Sequence, residues 1–165
     1  EDSYVWLLDN SNEYFYACTP YFAPPGDVLD AMKRAALRGV DVRLVLPGES
    51  DVPIMDPVNQ SFYRTCLKSG IRIYTSLGRF NHSKTFVTDD YVSSIGSVNL
   101  DYRSFRINYE DNAFVYDEDV AGQMRQGFEK HCGVACREVT MQDVYDRSLM
   151  QKIIIGLCRL LAPEM

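Results

Sequence analysis

Between His82 and Glu110 the 165-residue chain concentrates side chains suited to a charged oxyanion, in the run HSKTFVTDDYVSSIGSVNLDYRSFRINYE. Residues two apart on a strand share a face, so His82 and Lys84 are expected to project together. A hairpin turning at Asp89-Asp90 brings Ser97 roughly opposite His82, with Asn99 two residues further on the same side. One imidazole, one ammonium, one hydroxyl and one amide then share a small patch. Gly96 lets a bulky group approach the backbone closely.

That set suits a phosphoryl group. Lys84, Ser97 and Asn99 can donate to non-bridging oxygens and to the negative charge that grows on them. His82 can attack phosphorus or carry a proton, because imidazole exchanges protons near neutral pH. An attacking imidazole needs an acceptor for its other ring nitrogen. Asp89 is the nearest carboxylate in sequence, but its odd offset and its place in the turn direct it poorly toward His82, and it reads better as an anchor of the hairpin. Glu110, on a later strand beside Asn108, is the preferred orienting carboxylate. Arg103 and Arg106 either contact phosphate or pair with Asp101, Glu110 or Asp111.

The elements that must position these groups follow from periodicity and punctuation. Glu13 to Thr19 reads as a strand ended by Pro20, Val28 to Arg38 as a helix with Gly39 at its C′ position, and Val40 to Leu46 as a second strand. A helix from Pro57 to Ser69 and a strand from Ile71 to Thr75 complete a β-α-β-α-β run. Beyond it, His82 to Thr88, Tyr91 to Ser97 and Ile107 to Tyr116 read as strands and Glu118 to His131 as a helix. The fold class is α/β, a mixed, mostly parallel sheet flanked by helices. Residues 1–147 are expected to form a catalytic half domain. Residues 148–165 are expected to form an amphipathic helix, packed on the domain or lying at a membrane surface with Lys152 and Arg159 toward headgroups. Tyr14, Phe15, Tyr16, Tyr21 and Phe22 read as core and pocket-wall aromatics rather than a base-stacking surface.

Composition narrows the partners. The net charge is −6, from 17 Lys+Arg against 23 Asp+Glu, which offers no bulk attraction to nucleic acid. The acidity is uneven: residues 79–106 hold four Lys/Arg against three Asp, and residues 107–147 hold nine Asp/Glu against four Lys/Arg. Five scattered cysteines, Cys18, Cys66, Cys132, Cys136 and Cys158, read as reduced thiols in a cytoplasmic setting. His131, Cys132 and Cys136 lie within about one helical turn of one another and lack a fourth ligand, so they read as a helix end and no metal is expected. No run of about 18 apolar residues occurs. The acidic start at Glu1-Asp2 suggests a piece of a longer chain.

His82, Lys84, Asp89, Gly96, Ser97 and Asn99 together reproduce the HxK(x)4D(x)6GSxN signature, and by it the chain resembles the phospholipase D superfamily. The segments TPYFAPP, AALRGVDVRLVLPGESD, NLDYRSFRINYE and RLLAP extend the likeness to the C-terminal half of bacterial cardiolipin synthases. The resemblance implies a phospholipase D-like half domain that acts without metal or cofactor through a phosphohistidine. It implies a catalytic set of His82, Lys84, Asp89 and Glu110, with Lys84, Gly96, Ser97 and Asn99 holding the substrate phosphate. Phosphatidylglycerol is the implied substrate, on the cytoplasmic side of a bacterial membrane. Such enzymes carry two of these motifs across a pseudo-twofold axis, whereas this chain carries one, and its only other histidine, His131, has no lysine two residues on. The implied partner is an N-terminal half of the same chain or a homodimer mate. A single-motif phosphodiesterase or nuclease acting as a homodimer, and a lipid-headgroup-binding module, are the alternative readings.

Overall fold

The computed structural model describes residues 1–78 and 80–160. The chain opens with helix α1 (Asp2–Asn10), then β1 (Tyr14–Cys18), a short β2 (Phe22–Ala23), α2 (Gly26–Leu37), β3 (Asp41–Pro47), α3 (Met55–Lys68) and β4 (Arg72–Ser76). The β-α-β-α-β run is therefore present, with ends displaced by one or two residues. Next come β5 (Thr85–Thr88), β6 (Val92–Gly96), β7 (Leu100–Asp101), α4 (Tyr102–Arg106), β8 (Asn112–Tyr116), α5 (Glu118–Ala135), β9 (Cys136–Val139), α6 (Met141–Tyr145) and α7 (Leu149–Arg159). The last residues of the expected C-terminal helix, 161–165, lie outside the described residues.

One mixed sheet carries the fold, in the order β8-β6-β5-β1-β3-β4-β9. β1, β3 and β4 run parallel at its centre, and antiparallel strands extend it on both sides. A central strand must bury both faces, and β1 does so by alternation. Phe15 and Ala17 enter the core shared with α1, α2 and α3, while Tyr14 and Tyr16 enter a second core against Ala121, Phe128 and Cys132 of α5. Tyr14, Phe15, Tyr16 and Phe22 are thus core residues. α2 turns its buried stripe of Val28, Leu29, Ala31, Met32 and Ala35 to the first core, and Gly39 ends it at φ 99°.

Three differences from the sequence reading have local causes. Asp89 and Asp90 both adopt positive φ, 52° and 48°, and Tyr91 is added to the loop, so Thr88 pairs with Val92 and Thr85 with Ile95. Continued two residues, that register faces Ser97 toward Ser83 rather than His82. The expected strand from Ile107 starts only at Asn112, because the amides of Ile107 and Asn108 both close the end of α4 on the Arg103 carbonyl at 2.8 Å. After α5, where the sequence reading placed no element, β9 adds antiparallel to the β4 edge. α7 starts behind a reciprocal cap between Ser148 and Gln151.

The hairpin is pinned at its tip. The two Asp89 carboxylate oxygens accept from the amides of Asn12 at 2.8 Å, Glu13 at 3.0 Å and Tyr14 at 2.9 Å. Asp90 accepts from the Tyr14 hydroxyl at 2.6 Å and from Arg125 at 2.8 Å. Asp89→Ala is expected to lower the unfolding free energy by about 2–4 kcal/mol, because three amides lose a charged acceptor and alanine is strained at positive φ. Asp89→Asn should lose less. Equal urea midpoints for wild type and Asp89→Ala would contradict the anchoring role.

Candidate active site

In open α/β sheets, ligands lie beyond the carboxyl ends of the parallel strands. Here those ends deliver Tyr21 after β1, Asp51 after β3, and Phe80 with His82 after β4. The antiparallel pairing of β5 on β1 sets Cys18 against Thr85, so Lys84 also emerges at this end. His82 is exposed and lies beside two rings, that of Tyr21 at 6.2 Å between centroids and that of Phe80 at 5.5 Å. The Tyr21 hydroxyl donates to Asp51 at 2.8 Å.

Residues 81–84 are irregular rather than strand, yet His82 and Lys84 meet. The Lys84 Nζ lies 3.2 Å from His82 Nε2 and donates to the His82 carbonyl at 3.1 Å. An ammonium only donates, so in this arrangement Nε2 carries the lone pair and a neutral ring holds its proton on Nδ1. Burial lowers the Lys84 pKa from its ordinary value, while the carboxylates of Glu110, Asp101 and Asp51 act in the opposite sense. Burial raises the pKa of Asp101, against the Ser104 amide and hydroxyl, which hold it down.

A polar relay borders this pair. Asn99, 9% exposed, donates to the Ser104 hydroxyl at 3.3 Å, and that hydroxyl donates to Glu110 Oε1 at 3.3 Å. Asn108 donates to the same oxygen at 3.1 Å. The Asn99 segment is tied to the Tyr21 segment by the parallel pairing of β7 with β2 and by the Leu100 amide, which donates to Thr19 Oγ1 at 3.1 Å. Among the described residues, the Asn99 side-chain carbonyl is buried without a hydrogen-bond partner.

The remaining expected residues are distributed differently. Glu110 bonds to Ser104 and Asn108 rather than to His82. Asp89 is removed from the phosphoryl patch, since the four residues of β5, at about 3.3 Å per residue, separate it from Lys84. The close approach at Gly96 is made by protein, because a Cβ there would run into the Asn112 side chain and the Asp111 carbonyl. The Ser97 hydroxyl accepts from the Asp111 amide at 3.0 Å. Arg106 pairs with Glu1 and Asp27, neither of which was among its expected partners. His131 lies on α5, and its Nε2 meets the Ser76 hydroxyl at 3.1 Å. Thr19, Tyr21, Asp51, Asp101 and Ser104 were not singled out for the site, although TPYF and GESD both follow strands at the end where ligands bind.

Residues 4–132 match the family described as "Cardiolipin synthase, PLD-like domain". Cardiolipin synthase 1 of Staphylococcus epidermidis (strain ATCC 12228 / FDA PCI 1200) is 41% identical over 164 residues, covering 99% of this chain and 33% of that protein. The cardiolipin synthase of Clostridium perfringens (strain SM101 / Type A) is 35% identical over 165 residues, covering 100% of this chain and 34% of that protein. The chain thus spans about a third of the length of these curated relatives. Among solved structures, Nuc from Salmonella typhimurium, a phospholipase D family member, superposes with a TM-score of 0.68 at 19% identity over 84% of this chain and 89% of that chain. Phosphatidylserine synthase from Haemophilus influenzae Rd KW20 superposes with a TM-score of 0.75 at 15% identity over 96% of this chain and 41% of that chain. At these identities the likeness establishes the fold.

Because Glu110 favours the charged form of Lys84, Glu110→Gln should move the Lys84 titration, followed by side-chain nitrogen NMR, to lower pH. A titration unchanged by this substitution would contradict the electrostatic coupling.

Proposed function

The chain belongs to the cardiolipin synthase family of phospholipase D-like domains, and from that premise we propose that it is the C-terminal catalytic half of a phosphatidyltransferase. The reaction is transfer of a phosphatidyl group between two phosphatidylglycerols, giving cardiolipin and glycerol. One observation carries this reading: an exposed imidazole with its Nε2 lone pair against a lysine ammonium, at the carboxyl end of the parallel strands.

The steps balance as follows. The Nε2 lone pair of one catalytic histidine attacks phosphorus, a P–N bond forms, and the P–O bond to glycerol breaks. The departing oxygen takes a proton from the second histidine. That histidine then removes the proton from the hydroxyl of another phosphatidylglycerol, whose oxygen attacks phosphorus as the P–N bond breaks. Both imidazoles are regenerated. His82 supplies one of the two rings and a second half, in the same chain or in a homodimer mate, supplies the other. The span of about a third of each relative leaves room for such a half.

In this reading Lys84, Asn99 and Ser97 donate to the non-bridging oxygens, where a well-placed donor is worth about 10²–10³ in rate. Glu110 positions Asn99 through Ser104, favours the Lys84 charge, and takes up the His82 Nδ1 proton's hydrogen bond when substrate is held. Gly96 lets the start of β8 close on the segment that carries Ser97, and Asp89 fixes the hairpin. The site works at a bacterial membrane surface, on the cytoplasmic side. No helix among the described residues is long and apolar enough to cross a membrane. No residue favours the nuclease alternative over this one, since the likeness to Nuc carries the fold alone.

In the full-length enzyme, His82→Ala should lower cardiolipin formation from phosphatidylglycerol by at least about 10³-fold while the urea midpoint stays unchanged. Near-normal turnover in that variant would overturn the assignment.

A further inference from the structure

On the groove between α3 and α7, the charge pattern differs from that of the rest of this acidic chain. Arg64 of α3, Arg147 just before α7, and Lys152 and Arg159 of α7 line a cavity of about 540 Å³. Among the described residues outside the groove, every arginine except Arg103 pairs with a carboxylate, as do Arg34 with Asp9, Arg72 with Glu138, Arg125 with Asp90 and Arg137 with Asp143. Among the described residues, none of the four cavity cations has a carboxylate within ion-pair distance, and the nearby Asp143 is held by Arg137 at 2.7 Å.

The two inner guanidiniums are held on aromatic faces. Arg159 lies 3.5 Å from the centroid of the Phe62 ring, and Arg147 lies 5.5 Å from that of Tyr63 while donating to the Gln60 carbonyl at 3.3 Å. Burial lowers the pKa of both from the ordinary value. Half-buried cations without a counter-ion are costly, and an anion in the cavity would relieve that cost.

The outer face of α7, turned away from the cavity, is apolar. Leu149, Met150, Ile153, Ile154, Leu157 and Leu160 stand 46–75% exposed along α7, whose residues include no Asp or Glu. Only Cys158 of this helix is buried. An apolar row bordered by cations is the pattern of a helix lying at a lipid surface, with hydrocarbon under one face and headgroups beside it. Neither a nucleic acid nor an acidic protein explains the apolar row.

We propose that the α3–α7 groove is an anionic-phospholipid site separate from the phosphoryl-transfer centre. The phosphate of a phosphatidylglycerol headgroup occupies the cation-lined cavity, and the outer row of α7 enters the lipid surface. The site docks the domain on its substrate's own membrane and takes no part in bond making. It stands apart from the catalytic assignment, since His82 contributes nothing to it.

The test is sedimentation with phosphatidylglycerol vesicles and with phosphatidylcholine vesicles. Arg64→Gln combined with Lys152→Gln changes two exposed side chains, and should weaken phosphatidylglycerol-vesicle binding by about 30-fold, given two basic residues at the surface. Ile153→Ser combined with Leu157→Ser should abolish vesicle binding while leaving binding of soluble sn-glycerol 3-phosphate intact. His82→Ala should bind vesicles as wild type does, so loss of turnover and loss of docking separate. The proposal is overturned if the charge variant binds phosphatidylglycerol vesicles like wild type, or if phosphatidylcholine vesicles bind equally well. It is also overturned if glycerol 3-phosphate binds but vesicles do not, or if the apolar variant changes only a monomer–dimer equilibrium in gel filtration.

Discussion

Three backbone amides, those of Asn12, Glu13 and Tyr14, converge on the carboxylate of Asp89, and the placement of the site depends on that contact. It joins the tip of the β5–β6 hairpin to the start of β1, so β5 must run antiparallel to β1 with Thr88 at Phe15 and Thr85 at Cys18. A one-residue slip would turn every side chain of β5 to the other face. Phe86 would leave the core it shares with Phe15 and Tyr4, and Val87 would leave the one it shares with Tyr16. With the register fixed, Lys84 and His82 come out beyond the carboxyl end of β1, beside Tyr21. A residue at the far end of the strand thereby sets the position of the chemistry.

The electrostatics follow from that position. A net charge of −6 argues against phosphate handling only if charge is averaged over the molecule. Around Lys84, the carboxylates of Glu110, Asp101 and Asp51 favour the ammonium that burial would otherwise disfavour. Acidic residues here serve a cation, and the cation serves an anionic substrate. The α3–α7 groove has the opposite arrangement, cations with no carboxylate partner among the described residues, and it suits an anion that is bound rather than transformed.

Much of this was legible in the sequence. The β-α-β-α-β run and the parallel centre of the sheet follow from periodicity and glycine punctuation, whereas His82 and Lys84 meet on an irregular segment and not on the strand that their spacing suggested. The anchoring role of Asp89 was readable from its odd offset and its turn position. What was not legible depends on contacts distant in sequence. No local pattern shows that Thr19 meets Leu100, that Tyr21 meets Asp51, or that Ser104 stands between Asn99 and Glu110. The register of the hairpin was misplaced by one because two aspartates in left-handed conformation draw Tyr91 into the loop. Two-residue pairings such as β2 with β7 are too short to leave a periodic signal.

The central claim is that His82 and Lys84 form half of a two-histidine phosphatidyl-transfer site. The most direct measurement is phosphatidylglycerol turnover by this 165-residue chain alone and after mixing with the separately produced second half, with oligomeric state followed by gel filtration. The account predicts no glycerol release from the isolated monomer, and release of glycerol with formation of cardiolipin on mixing. Turnover by the chain as a monomer, without any second half, would contradict it.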